Sequence, residues 1–463
     1  SHSVLASLAK DSVAAGNDVS VIDLKPTTVI AQGFPPGWLA RLFGHRVAGS
    51  ALESELDRLQ VPLIPLTPQA APEALSPSVE EGLLRALESE LLTYFRLDHI
   101  PSTREAEQLR ARLHTAMLRT YGGLLAMWTQ SRPDVVYIPN GRTSRQKAAR
   151  LVAEGLGIEI RLYENGRAIP DAYYLGKTQP HDRLASQQEI IDGYPLPTGK
   201  ELTEIAQSWL AHRMSGDGRL NSFSGSWEET APGDAPPGPP RAVFFASSFD
   251  EFRAFGPMWS IDEWESQFDA FDRMMTILEY DGVDIALRLH PNLASKSRKY
   301  FLRETEEVLA LKAKHPTLTV YWHNDSQNSY DLVRTADYVI VERSTIGLEA
   351  SLMGKPVWVT QASQWDLIAD VRALHTPSDI TAEIMKPWTV SPIGAEKFVA
   401  YWVSQEHPLH YDWRHWASWN PDYPPFLMKV AQLALPNSLR HKARLVRLEL
   451  TKRRNLRFTP PVK

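Results

Sequence analysis

The chain has 463 residues, of which 43% are hydrophobic and 23% are charged, so we expect a soluble folded protein large enough for two or three domains. The complete absence of Cys excludes disulfides, thiolate metal ligands and cysteine nucleophiles, and it is typical of a reducing compartment, which favours a cytoplasmic protein. The net charge of −5 provides no overall positive field for nucleic acid, and no signal peptide or run of roughly 20 apolar residues is predicted.

The N-terminal stretch predicts the beginning of an α/β domain. Residues 3–24 indicate a helix, a turn at Gly16 and the buried strand Val19–Leu24. This order is typical of the first part of a Rossmann-like domain whose leading strand is short or missing. Amphipathic helical patterns follow over 50–59, 79–97 and 103–129, and we expect them to pack on a sheet.

Two strands with polar ends are predicted within residues 134–167. The runs DVVYIP and IEIRLYE are separated by a helical pattern, so both strands should deliver their following loops to one edge of a parallel sheet. Glu164 could equally be a strand-end residue that pairs with Arg161 or Arg167 in solvent. The loop residues of interest are Asn140, Gly141, Arg142, Glu164 and Gly166.

A change in composition predicts the domain boundary. Residues 215–240 are rich in Gly, Ser and Pro and poor in aliphatic side chains, which is typical of a linker. We therefore expect an N-terminal domain over residues 1–214, a second domain over 241–390, and C-terminal helices with a basic tail over 391–463.

The second domain begins with the strand AVFF, which runs into a polar loop. Ser247 and Ser248 offer hydroxyls to a phosphate, and Asp250 and Glu251 offer carboxylates to a hydroxyl or for a base role. The spacing from Ser248 to Glu251 also fits a capping box at the start of an ordinary helix.

Three further buried strands are predicted between residues 284 and 360, in DIALRLHPN, ADYVIVERS and GKPVWVT. They alternate with helical patterns, and a fourth run, LTVYW, lies between the first two. In open α/β sheets, ligands bind outside the carboxyl ends of the strands. The polar residues and the proline at or just beyond those ends are Arg288, His290, Pro291, Asn324, Ser344 and Thr345.

The turn after ADYVIV predicts an anion cradle. With Ser344 as the N-cap, its hydroxyl and the first amides of the following helix would face an anion, supported by the helix dipole. Gly347 would allow a ligand to approach closely, and Gly354 would end the helix. Thr345 and Glu349 are four residues apart and so share a helix face. A phosphate at the cap with ribose hydroxyls on Glu349 would use all of these groups; an ordinary capped helix with a solvated glutamate is the alternative.

The segment SYDLVRTADYVIVERSTIGLEASLMGKPV, with RLHPN upstream, resembles the donor-binding half of bacterial capsule and O-antigen polysaccharide glycosyltransferases, which include the Kdo transferases. The matching residues are His290, Pro291, Ser344, Thr345 and Glu349. The His-Pro pair is also similar to that of GT-B bacterial sialyltransferases, where the histidine meets the donor phosphate and a Ser/Thr turn helps to hold it. The resemblance implies an α/β protein of the GT-B type, with two Rossmann-like domains facing across a cleft and C-terminal helices crossing back to the first.

The N-G-R loop, the helix after it and the strand ending in E-x-G resemble the acceptor half of the same transferases. This implies that Asn140, Gly141 and Gly166 lie on the acceptor side, that Arg142 contacts an anion, and that Glu164 is the first candidate for a catalytic carboxylate. The S-S-x-x-E-F segment is similar to one in related transferases, and the run QASQWDLI after Thr360 resembles the loop that closes over the donor in this family.

The function implied by the resemblance is transfer of a sugar from a nucleotide donor to a bacterial surface polysaccharide or glycolipid. A CMP-Kdo-like donor is favoured, and UDP- or GDP-sugars remain possible. His290 would contact the departing phosphate, Glu164 would act as the base and Asp250 is a further catalytic candidate. The implied donor-binding set is Ser247, Ser248, Arg288, His290, Pro291, Asn324, Ser344, Thr345, Gly347 and Glu349.

No D-x-D metal signature stands at a strand end, so metal-independent chemistry is expected, with no cofactor other than the nucleotide-sugar co-substrate. Three alternatives stay open from the sequence: a polyol-phosphate transferase, a sugar epimerase of the same fold, and a non-catalytic subunit of a capsule assembly complex.

The C-terminal tail is strongly basic. Residues 437–463 contain nine Lys and Arg against the single acid Glu449, and their apolar residues fall at helical spacing. Such a helix suits the anionic inner face of a membrane, although a solvated or domain-packing tail is an alternative. RNA binding is not expected, because no aromatic residues are interleaved with the charges.

Overall fold

The computed structural model describes residues 2–24, 46–95, 97, 99–166, 168–215, 239–247, 252–259, 264, 266–384, 386, 388–411 and 450–458. The chain divides into two compact units. The first unit contains Ser1–Phe95, His99–Pro180 and Gln405–Arg447, and the second contains Arg96–Asp98, His181–Ser404 and Leu448–Lys463.

The first unit is an α/β unit with two sheets. Its elements are α1 His2–Ala14, β1 Val21–Asp23, α2 Arg46–Arg58, β2 Leu63–Pro65, α3 Pro77–Phe95, α4 Arg104–Gln130, β3 Val135–Pro139, α5 Ser144–Leu156, β4 Glu159–Asn165, β5 Ala172–Gly176 and β12 Glu406–Pro408. Strands β1 and β2 form a parallel pair. The other sheet has the order β12-β5-β4-β3, in which β3 and β4 are parallel and the other pairs are antiparallel.

Alternation of apolar residues builds the core of this unit. Val136 and Ile138 of β3 and Leu162 of β4 meet Trp128 of α4 and Val152 of α5 in one buried cluster. Every second residue of a strand points to the same side, so one face of β3 is covered by helices. The two strands predicted within residues 134–167 are therefore confirmed, and they pair in parallel as expected.

The second unit contains a six-stranded sheet in which every pair of neighbouring strands is parallel. Its elements are α6 Arg183–Ile191, α7 Lys200–Met214, β6 Arg241–Phe245, α8 Gln267–Tyr280, β7 Asp284–Arg288, α9 Arg298–Lys314, β8 Thr319–Tyr321, α10 Ser329–Thr335, β9 Tyr338–Val341, α11 Thr345–Leu352, β10 Val357–Val359, β11 Arg372–Ala373, α12 Pro377–Glu383 and α13 Ile393–Ser404. Short 3-10 turns cover Pro257–Trp259 and Pro291–Ser295.

The strand order β8-β7-β6-β9-β10-β11 is that of a Rossmann fold, in which the chain builds outward from the first strand and then reverses. The reversal occurs between β6 and β9, and such a switch point opens a crevice at the carboxyl ends of the two strands. The α/β fold class predicted from the sequence is confirmed by both units.

The strands of the second sheet are buried because their sequences are almost entirely apolar. Val339, Ile340, Val341 and the whole of β10 are fully buried, the pattern of strands covered on both faces. On one face, Phe271 of α8 meets Phe244 of β6 edge-on, with ring centroids 5.1 Å apart. Such an aromatic pair adds about 0.5–1.5 kcal/mol beyond the area it buries.

The C-terminal segment returns to the first unit as a strand. Strand β12 pairs antiparallel with β5, and the backbone N–H of Leu175 donates to the carbonyl of Gln405 at 3.0 Å. The Glu406 carboxylate accepts the amides of Ala168 and Ile169 at 2.7 and 2.6 Å. The C-terminal helices expected to cross back to the first domain fall mostly on residues 412–449, which lie outside the described residues.

Residues 450–456 form a helix that belongs to the second unit. The side chain of Asn455 is fully buried there and donates to the carbonyls of Ala294 and Lys296 at 3.2 and 3.3 Å. None of the helices in the described ranges is both long and apolar enough to cross a membrane.

The domain limits drawn from composition stay a prediction. Helices α6 and α7 precede the Gly- and Pro-rich segment in the chain, yet they cluster with the second unit. Residues 216–238 of that segment lie outside the described part of the chain.

Candidate functional site

The carboxyl edge of the second sheet carries the polar residues of interest. His290 follows β7, Ser247 follows β6, and Ser344 follows β9. Strand β6 lies between the other two, and neighbouring strands are about 4.8 Å apart. His290 and Ser344 are thus brought to the same edge on strands roughly 10 Å apart, a span that a nucleotide can bridge.

The His290 ring is held by the turn that follows it. His290 is the N-cap of the 3-10 turn, and its Nδ1 accepts the backbone N–H of Asn292 at 3.0 Å. Pro291 occupies the first position of the turn, where its fixed φ is already suitable. Because Nδ1 accepts a hydrogen bond, the proton of the neutral ring is on Nε2, which is then a donor.

Ser344 is the N-cap of α11, as predicted. Its backbone is extended, with φ −64° and ψ 145°, and its hydroxyl makes no capping hydrogen bond within the described part of the chain. Ser344 and Thr345 are half-buried. The first-turn amides of α11 point in the same direction as the positive end of the helix dipole. The amides and a hydroxyl not used for capping could together hold an anion.

Thr345 and Glu349 lie on one face of α11, as their spacing predicts, and both contact Arg213 of α7. The Nε and Nη2 atoms of Arg213 donate to Oε1 of Glu349 at 2.9 and 2.8 Å, and Nη2 also lies 3.3 Å from the Thr345 hydroxyl. Burial acts to lower the pKa of Arg213, but the charge of Glu349 and then Tyr330 outweigh it, so the pKa is raised.

This ion pair corrects the alternative in which Glu349 is solvated, and it also engages the carboxylate that was expected to hold ribose hydroxyls. Only 2% of its side chain is exposed, against 14% for Arg213. Breaking a buried pair of this kind costs about 3–5 kcal/mol. Glu349 is therefore committed to holding α11 against α7.

Gly347 is required by packing inside the unit. A Cβ atom at this position would lie 2.6 Å from Cη2 of Trp365 and 2.9 Å from Cγ2 of Val341. The sequence had suggested that the glycine admits a ligand, but the space beside its Cα is filled by the Trp365 indole.

Glu342 and Arg343 form a second buried ion pair, at the end of β9. Oε1 of Glu342 accepts Nη2 of Arg343 at 2.9 Å, and both residues are at least 96% buried. Arg343 also donates to the Trp259 carbonyl, and its guanidinium carbon lies 4.8 Å from the ring centroid of Phe252. Arg343 thus offsets the charge of Glu342, which alone would repel a phosphate from this strand end.

Two residues that were predicted to bind the nucleotide-sugar donor make hydrogen bonds within the unit. Arg288 is buried and donates to the carbonyls of Trp322 and Asp325 at 2.5 and 3.3 Å, and burial lowers its pKa. The Asn324 amide nitrogen lies 3.4 Å from the carbonyl of Phe458 at the end of the C-terminal helix. These side chains hold the loop after β8 in place.

Ser247 is 2% exposed at the end of β6. Its backbone N–H donates to Oε1 of Gln267 at 2.8 Å, and Nε2 of Gln267 donates back to its carbonyl at 3.2 Å. Its hydroxyl has no hydrogen-bond partner among the described residues. Ser248 and Asp250, which were also predicted to be functional, lie outside the described residues.

The loop after β10, in QASQWDLI, is anchored by α6. Arg183 pairs with both carboxylate oxygens of Asp366 at 3.0 and 3.1 Å and donates to the Ser363 carbonyl at 2.8 Å. Oε1 of Gln187 accepts the amide of Leu367 at 2.6 Å. The resemblance had suggested a loop that closes over a donor, whereas here it is fixed by buried contacts. No local signal in the sequence pointed to Arg183 or Gln187 as its partners.

In the first unit, the predicted strand ends come together. The Asn140 side-chain N–H donates to Oε2 of Glu164 at 2.6 Å. Asn140 and Gly141 have positive φ values of 59° and 70°, which turn the chain sharply after β3. Arg161 pairs with Glu159, so the alternative pairing of Glu164 with Arg161 is not formed.

The remaining predicted acceptor-side residues have contacts inside this unit. Arg142 donates to the hydroxyls of Ser89 and Thr93 on α3. The amide of Gly166 donates to the Ala172 carbonyl at 2.9 Å, and a Cβ atom there would approach that carbonyl oxygen to 2.6 Å. The described residues contain no cluster of three or more His, Asp or Glu that could hold a metal ion.

No protein-family model matches the chain, and no curated protein sequence matches it. Solved structures do match. The KpsC β-Kdo 2,4 transferase of Thermosulfurimonas dismutans is 16% identical, with a TM-score of 0.35, over 58% of this chain and 78% of that chain. The KpsC β-Kdo 2,7 transferase of the same organism is 12% identical, with a TM-score of 0.33, over 71% and 87%. The UDP-GlcNAc 2-epimerase of Neisseria meningitidis is 11% identical, with a TM-score of 0.29, over 77% and 92%.

Proposed function

We propose that the chain is a glycosyltransferase of the GT-B type that transfers a sugar from a nucleotide donor. The observation that carries this proposal is the placement of His290 and of the Ser344–Thr345 turn at one carboxyl edge, on the two sides of β6, in a sheet of Rossmann order. Ligands bind at such a switch point in open α/β sheets.

The chemistry requires stabilisation of the phosphate that leaves with the nucleotide. Preorganised donors at the place where negative charge develops are the usual means. Nε2 of His290 supplies one donor and can pass its proton to a departing phosphate oxygen. The amides at the start of α11, with the hydroxyls of Ser344 and Thr345, supply the others.

A second group must act on the acceptor hydroxyl, and we propose Glu164 as this base, with Asp250 as a further candidate. Asn140 donates to one of the Glu164 oxygens and so fixes the carboxylate's direction, while the carboxylate keeps further lone pairs for a substrate proton.

The donor follows from the sequence resemblance. The His-Pro pair with a Ser-Thr turn favours a CMP-Kdo-like donor, with UDP- and GDP-sugars as alternatives. The proposed acceptor is a bacterial surface polysaccharide or glycolipid. A polyol-phosphate transferase, an epimerase of the same fold or a non-catalytic subunit of a capsule assembly complex would use the same nucleotide site.

We also propose that the enzyme is cytoplasmic and touches the anionic inner surface of the membrane through its basic tail. Within the helix of residues 450–456 and the turn after it, Lys452, Arg453, Arg454 and Arg457 are exposed and no acidic residue is present. Each basic residue near an anionic surface contributes about 1 kcal/mol.

A thermal-shift screen with CMP, CDP, UDP and GDP tests the nucleotide site. A ligand at a hundred times its Kd stabilises the folded state by about 2.7 kcal/mol, so at least one of the four should raise the Tm of the wild type. His290→Ala should remove most of that shift. His212→Ala is the matched control, because this exposed histidine of α7 lies in the same unit. The proposal fails if none of the four nucleotides raises the Tm.

A further inference from the structure

Three buried polar atoms at the switch point have no hydrogen-bond partner in the described part of the chain: Oγ of Ser247, Oε2 of Glu342 and Oγ1 of Thr360. The three residues are 2%, 0% and 0% exposed. They follow β6, β9 and β10, which are neighbouring strands of one sheet. The three atoms therefore belong to one short stretch of the carboxyl edge.

The sheet register makes two of these residues direct neighbours. Val341 pairs with both Phe245 and Val359, and the amide of Thr360 continues the ladder to the Val341 carbonyl at 3.1 Å. Glu342 and Thr360 are thus level with each other, one residue beyond the paired strands. Side chains alternate along a strand, so both point to the same face of the sheet.

The third residue in this row is small. Ala246, the residue after β6, is level with Glu342 and carries only a methyl group, and its own amide donates to the Arg288 carbonyl at 3.0 Å. Ser247 comes next in the chain. The row therefore presents a carboxylate and a hydroxyl side by side next to a methyl group. By the same alternation, Ser247 does not share this face, because it is one residue beyond Ala246.

Buried polar groups are almost always hydrogen-bonded, because a group that leaves water without gaining a partner costs free energy. Several exceptions occur elsewhere in this unit, and Oγ of Ser351 on α11 and Nε1 of Trp358 on β10 are two of them. Two such atoms side by side on neighbouring strand ends, Oε2 of Glu342 and Oγ1 of Thr360, at the place where α/β sheets bind ligands, indicate a partner that arrives from outside the chain.

The chemistry of these two atoms defines that partner. A carboxylate oxygen only accepts hydrogen bonds, whereas hydroxyls donate and accept. Arg343 balances the charge of Glu342, so the subsite is neutral overall, and a phosphate here would face a carboxylate. Neutral hydroxyl groups that donate to Glu342 and exchange hydrogen bonds with Thr360 fit both atoms.

We propose that Glu342 and Thr360 form a subsite for hydroxyl groups of the nucleotide-sugar, either those of the ribose or those of the transferred sugar. This inference rests on the proposed function and deepens it. Glu342, in place of the Arg213-bound Glu349, is the carboxylate that holds these hydroxyls.

Residues 252–259 cover the end of β9 that carries Glu342. Arg343 donates to the Trp259 carbonyl and lies over the Phe252 ring, which holds residues 252–259 against the end of β9. A ligand that reaches Glu342 displaces residues 252–259, so the contacts of Arg343 with Trp259 and Phe252 must break.

Two variants each change one hydrogen-bonding group of the subsite and keep the shape of the side chain. Thr360→Val replaces the hydroxyl by a methyl group, and Glu342→Gln keeps an acceptor for Arg343 while removing the charge. Ser351→Ala is the matched control, because it removes a buried hydroxyl without a partner that does not lie at the carboxyl edge. The probes are CMP, UDP, their 2′-deoxy forms, CMP-Kdo and UDP-GlcNAc, with Kd measured by calorimetry.

We expect Thr360→Val and Glu342→Gln each to weaken binding about tenfold, which corresponds to about 1.4 kcal/mol, and Ser351→Ala to leave it unchanged. If the hydroxyls belong to the ribose, Glu342→Gln binds CMP and 2′-deoxy-CMP equally. If they belong to the sugar, Glu342→Gln weakens only the nucleotide-sugars. Thr360→Val should also raise the Tm of the ligand-free protein, because an unpaired buried hydroxyl is removed.

Unchanged Kd values in both variants, for probes that the wild type binds, would overturn the subsite while leaving the proposed function intact. A lower Tm of ligand-free Thr360→Val would also overturn it, because it would mean that the hydroxyl is already satisfied, for instance by a buried water. If the wild type binds none of the probes, the proposed function itself fails and the subsite with it.

Discussion

Arg213 and Glu349 join α7 to α11 through two hydrogen bonds to a single carboxylate oxygen, at 2.9 and 2.8 Å, with both side chains largely withdrawn from solvent. Glu349 lies one helical turn after Thr345, which belongs to the proposed anion cradle. Thr345 also contacts Arg213. The ion pair therefore fixes the position of the helix whose first turn forms the cradle.

Breaking this pair should destabilise the second unit. We expect Glu349→Ala to lower the free energy of unfolding by about 3–5 kcal/mol, because it leaves the Arg213 charge buried without its partner. Glu204→Ala, which breaks the exposed pair with Lys200, should cost less than about 1 kcal/mol. Urea unfolding of both variants provides the comparison, and equal losses would contradict the structural role given to Glu349.

The C-terminal helix should stabilise the turn that carries His290. The Asn455 side chain donates to the carbonyls of Ala294 and Lys296, the first of which lies in that turn, and accepts Nη1 of Arg298 at 2.9 Å. Asn455→Leu would leave these groups unsatisfied, at about 1–3 kcal/mol for each buried group that finds no water.

We therefore expect Asn455→Leu to lower the unfolding free energy by at least about 2 kcal/mol and to weaken nucleotide binding through the His290 turn. Leu456→Ser is the control, since the next side chain along is exposed and surface changes usually stay within about 0.5 kcal/mol. Wild-type stability in Asn455→Leu would show that the helix is not needed for this turn.

Glu164 should be needed for turnover and not for nucleotide binding. A general base contributes about 10²–10⁴-fold to rate, so Glu164→Gln should lose at least a hundredfold in sugar transfer while keeping the nucleotide-induced Tm shift. Glu159→Gln changes another glutamate of the same strand, paired with Arg161, and should leave both properties unchanged. Full transfer activity in Glu164→Gln would move the base to another residue, with Asp250 next to be tested.

The basic C-terminal helix should bind anionic vesicles. We expect the wild type to sediment with vesicles that contain phosphatidylglycerol and not with pure phosphatidylcholine vesicles, and to be released by salt. The double reversal Arg453→Glu and Arg454→Glu should abolish sedimentation, whereas Lys200→Glu with Lys397→Glu, at two exposed lysines elsewhere, should not. Equal binding by the two double variants would place the membrane contact outside this helix.

Much of the fold could be predicted because its signals are local in the sequence. An apolar run followed by Ser344, helical spacing and a glycine that ends the helix was sufficient to predict β9 and α11, and Gly354 has the positive φ, 72°, of such an end. The polar ends of β3 and β4 could be found in the same way, since Asn140 and Glu164 each follow an apolar run and parallel pairing brings them together.

The partners of the site residues could not be predicted, because they are distant in sequence. Arg213 is 136 residues from Glu349, and Arg183 is 183 residues from Asp366. A glutamate at a helical spacing from Thr345 has the same pattern whether it binds a ligand or a buried arginine. Gly347 likewise fits either a ligand or the Trp365 indole, and only the packing distinguishes the two.

The most direct test of the central claim is a crystal structure of the chain with the nucleotide that gives the largest Tm shift. The account predicts phosphate oxygens within about 3 Å of Nε2 of His290 and of the Ser344 hydroxyl or the first amides of α11. A nucleotide whose phosphate lies away from this edge of the sheet, with His290 and Ser344 uncontacted, would contradict it.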